Sequence, residues 1–313
     1  MLIYDNNNIY DKQVINLVDY LNEGDLLVFN DAKVIKAKLK GRIKRNSAIL
    51  EFNLDQLNDG IWNALCKPAK KVIKGDEIEI ADNFRASVKE KNDDGTIGIE
   101  FNATGDEFAE LLEKFGEVPL PPYIKREKEE QDNINYQTIY AKSGYAVAAP
   151  TAGLHFNQEI FNELEKKKIN KAFVTLNVGA GTFLPVRSDN ICDHKMHFEY
   201  FTLSEEAAAL INLTKKNNKR VIAVGTTSLR VLESAAIENG VVKAGSKNTD
   251  IFIYPPYDFK IIDGLMTNFH LPKSTLFMLI CAFMGKDEAF KLYNHAIKND
   301  YRFYSYGDAT LLL

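Results

Sequence analysis

The sequence is short of the residues that most sharply narrow a protein's class. Its three cysteines, Cys66, Cys192 and Cys281, are far apart and odd in number. That excludes a disulfide framework and fits a reducing compartment. Histidine is scarce, at five residues in 313, so each is a titratable group worth placing. Basic charge is not in excess. Lysine and arginine total 39 against 43 acidic residues, a net charge of −4. No global cationic field draws such a chain to nucleic acid or a membrane, and any RNA contact must be local. The first residues, Met-Leu-Ile-Tyr-Asp, lack a cationic stretch followed by an apolar run, so no signal peptide is expected. The longest apolar run, residues 276–284, is too short to cross a bilayer. The expectation is a cytoplasmic protein with no membrane partner. Internal repeats and low-complexity tracts are missing as well.

What is present is globular. The chain is 45% hydrophobic and 26% charged, ordinary values for a folded protein, and its length suits two domains. The pattern changes twice along it. Residues 12–22 read as a short helix stopped by Gly24, and residues 25–30 as an apolar strand. From residue 33 to 103 the chain reads as all β. Ile35, Ala37, Leu39, Gly41 and Ile43 alternate with Lys36, Lys38, Lys40 and Arg42, which gives one wholly cationic face. Leu50, Phe52 and Leu54 alternate again, and turns at Asn58-Asp-Gly60, Lys74-Gly-Asp76 and Asp93-Asp-Gly95 separate later strands. This spacing predicts a small antiparallel barrel. With Lys44 and Arg45, its cationic face is a candidate phosphate-backbone contact, or simply a solvated surface.

Beyond residue 105 strands and helices alternate. Helices are predicted over 107–115, 158–168, 205–217 and from about 229, and strands over 172–178, 220–224 and 250–254. The fold class is α/β. A domain with a mainly parallel sheet, residues 1–32 plus 116–313, is interrupted by an inserted barrel at 33–115.

Four segments carry chemistry. Ala148-Ala-Pro-Thr-Ala-Gly-Leu-His-Phe156 has neither helical nor strand period. Asn157 can cap the helix that follows, which leaves His155 in a loop at a helix N-terminus. Phe173 to Phe183 is a strand running into a Gly-rich turn, where Gly179 and Gly181 allow close backbone approach to a ligand. Arg220 to Arg230 places Thr226, Thr227 and Ser228 at a helix N-terminus, able to hold an anion or ribose or merely to cap. Asp263 to Ser274 contains His270 two residues before Pro272 and ahead of a helix apolar on all sides, expected to be buried. Cys192-Asp-His-Lys-Met-His-Phe-Glu199 matches no standard zinc spacing, and no metal is expected.

Eight segments, in order, resemble one family: Gly24 to Asp31, Pro119 to Ile124, Tyr136 to Tyr140, Ala148 to Phe156, Val174 to Phe183, Gly225 to Arg230, Thr267 to Pro272 and Tyr306 to Asp308. They resemble the S-adenosylmethionine:tRNA ribosyltransferase-isomerases of queuosine biosynthesis over nearly the whole chain. The resemblance implies a barrel inserted in an α/β domain and a monomer acting on tRNA. It implies that S-adenosylmethionine is the ribosyl donor and that 7-aminomethyl-7-deazaguanine at the wobble position is the acceptor. It further implies epoxyqueuosine as the product, with adenine and methionine released and no prosthetic group. Such chemistry needs a base, an acid and shelter for a cation. His270 and His155 are the acid–base candidates, with Asp263 as orienting partner. Phe183, Phe269 and Tyr257 are candidates to face the sulfonium. Gly179, Gly181, Thr182, Thr226, Thr227 and Ser228 are candidates to bind the donor.

The sequence departs from the family pattern in three places. An expected segment ahead of Met1 is missing, Asn177 stands where the family has His, and Tyr145 stands where it has Gly. These leave a second reading, a tRNA-binding relative with impaired catalysis.

Overall fold

The computed structural model describes residues 1–313 apart from 94, 122, 125, 127, 128, 180–189 and 195, and apart from the side chains of 192 and 239. The chain opens with a hairpin of β1 (Leu2–Asp5) and β2 (Asn8–Asp11). Residues predicted as a helix over 12–22 form a 3-10 helix only at Val14–Tyr20, with Leu17 its one buried residue. One buried contact does not support a longer α-helix. Next come β3 (Leu26–Asn30), buried at all five positions, and the short β4 (Ala32–Val34).

Six strands then close a barrel: β5 (Lys38–Ile43), β6 (Ile49–Asn58), β7 (Ile61–Lys67), β8 (Glu77–Ala81), β9 (Phe84–Lys91) and β10 (Thr96–Phe101). Their inward residues, among them Leu39, Leu50, Phe52, Leu54, Trp62, Ile78, Phe84 and Ile97, make one core. Leu111 and Leu112 of α1 (Gly105–Phe115) join it. Five of the six cations between residues 36 and 45 stand beside carboxylates. Lys36, Lys38, Lys40, Lys44 and Arg45 pair with Glu113, Glu117, Glu51, Glu77 and Asp76. The carboxylates come from α1, neighbouring strands and loops, which a single-strand reading does not reveal.

The chain continues as α2 (Asp132–Asn135), β11 (Ser143–Ala146), α3 (Gln158–Lys166), β12 (Asn170–Leu176), β13 (Glu199–Leu203), α4 (Glu205–Lys216), β14 (Val221–Val224) and α5 (Thr226–Ala235). It ends with β15 (Gly245–Thr249), β16 (Gly264–Asn268), α6 (Thr275–Met284), α7 (Lys286–Lys298) and β17 (Ala309–Leu312). Among the described residues its sheet has nine strands, in the order β15-β13-β12-β3-β14-β16-β17-β1-β2. The centre, β12-β3-β14-β16, is parallel, and antiparallel neighbours flank it. Alternation along β3 serves both faces. Leu27 and Phe29 pack with α3, while Leu26 and Val28 pack with α4, α5, α6 and α7.

Two sequence expectations fail here. Residues 250–254 form no strand, and the edge strand β15 lies just before them. The Ile251 amide turns back to Thr249 Oγ1 at 3.2 Å instead of joining a ladder. Helix α6 is apolar all round yet fully buries only Leu279, Ile280 and Cys281, its other residues being half-buried as it packs against α7.

Candidate active site

The parallel strands β12, β3, β14 and β16 all end at one edge, the usual place for ligands in such sheets. Both candidate histidines lie there, anchored through consecutive residues of β16. Thr267 Oγ1 stands 2.9 Å from His270 Nε2. Asn268 donates from Nδ2 to His155 Nε2 at 3.2 Å, and its Oδ1 accepts from Thr151 Oγ1 at 2.9 Å. Consecutive strand residues point to opposite faces, so the rings approach from the two helical layers. Thr267 and Asn268 are themselves only 1% exposed, which fixes the anchors. The His270 amide donates to Tyr293 Oη at 3.0 Å. His155 ends the 3-10 turn Thr151–His155, and Asn157 caps α3 by accepting from the Ile160 amide. Burial pulls the pKa of each ring down to about 4, so both imidazoles are neutral near pH 7.

The other candidates divide. Asp263 is not His270's partner. It precedes the first residue of β16, while His270 follows the last, and it accepts from Lys215 Nζ at 2.7 and 2.9 Å and from the Val221 amide at 2.8 Å. Five strand residues separate the two ends, a gap that sequence distance conceals. Phe269 is fully buried among Tyr293, Tyr301 and Phe303 and offers no face to a cation. Tyr257 Oη lies 3.4 Å from Glu233, in the segment leading toward Asp263. Gly181, Thr182 and Phe183 lie outside the described residues.

Gly179 is at the edge, and its amide donates to Glu199 Oε1 at 3.1 Å. Helix α5 starts at Thr226, earlier than predicted, because Gly225 at φ +89° turns the chain directly off β14. Ser228 is fully buried and donates to the Val224 carbonyl at 2.9 Å, so its hydroxyl is committed. Thr227 Oγ1 has no partner among the described residues, and Thr226 is buried.

Three edge residues escaped the sequence reading of the site. Asp31, just after β3, is buried, accepts from Thr175 Oγ1 at 2.6 Å, and has its carboxyl pushed up by desolvation. An acid directly after an apolar strand was the available signal. Glu199 and Arg230 form a buried ion pair. They were visible only as ends of two separate motifs. Among the described residues no group of three or more His, Cys, Asp or Glu could hold a metal ion.

The model of the queuosine biosynthesis protein family matches residues 1–312. The chain belongs to that family. It is similar to proteins named S-adenosylmethionine:tRNA ribosyltransferase-isomerase from several bacteria. The relative in Rickettsia bellii is 52% identical over 309 residues, covering 95% of this chain and 87% of the relative. Those in Zymomonas mobilis and a Ruegeria species are 51% and 47% identical, covering 97% and 100% of this chain and 89% and 92% of theirs. A solved structure, the S-adenosylmethionine tRNA ribosyltransferase of Thermotoga maritima, is 33% identical with a TM-score of 0.54, covering the whole chain and 91% of that one. The chain is thus an enzyme of the family, with the family's α/β fold and inserted barrel.

Asn177 and Tyr145 meet each other. Asn177 Oδ1 accepts from the Tyr145 amide at 3.0 Å. Between them Gly144 adopts φ +71°, and a side chain there would strike Asn177 Oδ1. The Tyr145 ring packs against Trp62 of the barrel, with centroids 5.3 Å apart. These two residues therefore tie β12, β11 and the barrel together.

Proposed function

We propose that the chain transfers and isomerises the ribosyl group of S-adenosylmethionine onto 7-aminomethyl-7-deazaguanine at the wobble position of tRNA. Epoxyqueuosine-tRNA forms, and adenine and methionine leave. The observation that carries this reading is the pair of desolvated, neutral imidazoles held by consecutive residues at the end of β16. Family membership supports the donor and the RNA acceptor. The enzyme works as a cytoplasmic monomer and needs no prosthetic group, a reading carried by the family resemblance.

The sulfonium acidifies the ribose C5′ hydrogens. Removal of one gives an ylide that expels adenine and opens the ring, the acceptor amine joins the carbon skeleton, and closure to the epoxide ejects methionine. A neutral imidazole can take the C5′ proton, and His270 is assigned that role. His155 accepts from Asn268 at Nε2, which leaves its proton on Nδ1 for the departing adenine. Gly179, Thr226 and Thr227 are assigned to the donor, and Gly181 and Thr182 remain candidates by sequence alone. The target base leaves the anticodon stack to enter it.

The test is adenine release from S-adenosylmethionine in the presence of tRNA bearing the unmodified acceptor. His270→Ala should cut the rate about 10²- to 10⁴-fold with an unchanged circular dichroism spectrum. Near-normal turnover would remove His270 from the mechanism. Binding of tRNA without adenine release by the unaltered protein would favour an impaired relative instead.

A further inference from the structure

Arg230 is the one arginine buried among the described residues, at 6% exposure. Its Nη1 pairs with Glu199 Oε2, and Glu199 Oε1 holds the Gly179 amide. Its Nε and Nη2 atoms are buried with no hydrogen-bond partner among the described residues. These two nitrogens share one edge of the guanidinium, the fork that grips a carboxylate or phosphate through two parallel bonds. Leaving such donors empty in a folded interior is costly, and natural structures rarely do so without a reason. The location supplies one. Arg230 is four residues beyond Thr226, on the same face of α5, the helix that springs from the end of β14. Its partner Glu199 opens β13 beside Gly179, just past the end of β12. The fork, unpaired among the described residues, therefore lies at the strand-end edge that carries the histidines, and Glu199 locks its orientation from the other side.

We propose that Arg230 binds the α-carboxylate of the methionine half of S-adenosylmethionine through Nε and Nη2, with Glu199 as the residue that positions it. Burial selects a small anion over an RNA backbone, because phosphate contacts along a polymer need an exposed cation. The inference rests on the donor assigned under the proposed function.

The experiment compares S-adenosylmethionine with its decarboxylated analogue, which keeps the sulfonium and ribose. The unaltered enzyme should lose about 10- to 100-fold in kcat/KM for adenine release with the analogue. Arg230→Lys keeps the charge but loses the fork, so it should use the two donors within a few-fold of each other. A merely structural arginine would slow both donors alike and leave their ratio unchanged. Equal use of both donors by the unaltered enzyme overturns the inference, and so does a ratio unchanged in Arg230→Lys. A variant with a raised KM for tRNA and an unaltered KM for the donor overturns it in favour of a phosphate contact. Failure of the unaltered enzyme to release adenine from either donor overturns the donor assignment itself, and this inference with it. Should Arg230→Lys not fold, the unaltered enzyme carrying ¹⁵N-arginine decides. S-adenosylmethionine, and not the decarboxylated analogue, should shift one exchange-protected Nε–H resonance, and the lack of that shift overturns the inference.

Discussion

On the barrel wall, Lys40 and Glu51 meet 3.3 Å apart with half or more of each side chain in water. At the strand ends of the larger sheet, Arg230 and Glu199 meet with 7% and 4% of their side chains exposed. Both are cation–carboxylate pairs, but they answer to different physics. Water and salt screen the wall pair, which gains little over two hydrated ions. The buried pair has no water to fall back on, so each partner depends on the other, and any donor left over needs a ligand. A dense run of lysines therefore marked a solvated surface. A single arginine at the end of an unremarkable helix motif marks the site.

The largest effect that separates these regions is expected from Arg230→Met. It removes the cation beside the buried Glu199 carboxylate and should cost about 3–5 kcal/mol of stability, read from the midpoint of urea unfolding. Next is the pH dependence set by the two histidines. Each ring has a folded pKa near 4 against about 6.5 when unfolded. The unfolded chain thus binds more protons between those values, and stability should fall as pH drops from about 6.5 to about 4, then gain no further loss from these groups. A thermal melt series across that range checks this, and His270→Asn should flatten part of the slope. The smallest effect belongs to the wall. Lys40→Gln should leave both the melting temperature and the salt dependence of tRNA binding unchanged within measurement scatter. A clear weakening of tRNA binding would restore the barrel face as an RNA contact.

Much of the architecture was legible along the chain. The barrel strands followed from alternation at Leu39, Leu50, Phe52 and Leu54, because one face of each strand must be buried. The helix after residue 156 followed from Asn157, whose side chain does cap it. The site was legible only as a set of segments. His155 and His270 were singled out by scarcity and by their irregular surroundings. The pairing of His270 with Asp263 failed because a strand separates them. Residues 250–254 form no strand despite an apolar run that reads as one, and the Ile251 amide is bonded locally to Thr249.

The sequence by itself determined the two-part α/β and barrel organisation and the identity of the segments that gather at the strand ends. Periodicity and turn residues act locally, and local rules suffice for that. Only the tertiary structure decided which charges are spent on each other and which are left over. The carboxylates that silence the barrel lysines, the residues of β16 that hold both histidines, and the Glu199 that fixes Arg230 come from distant parts of the chain. Burial and pairing are properties of the folded neighbourhood, and no spacing along the sequence encodes them directly.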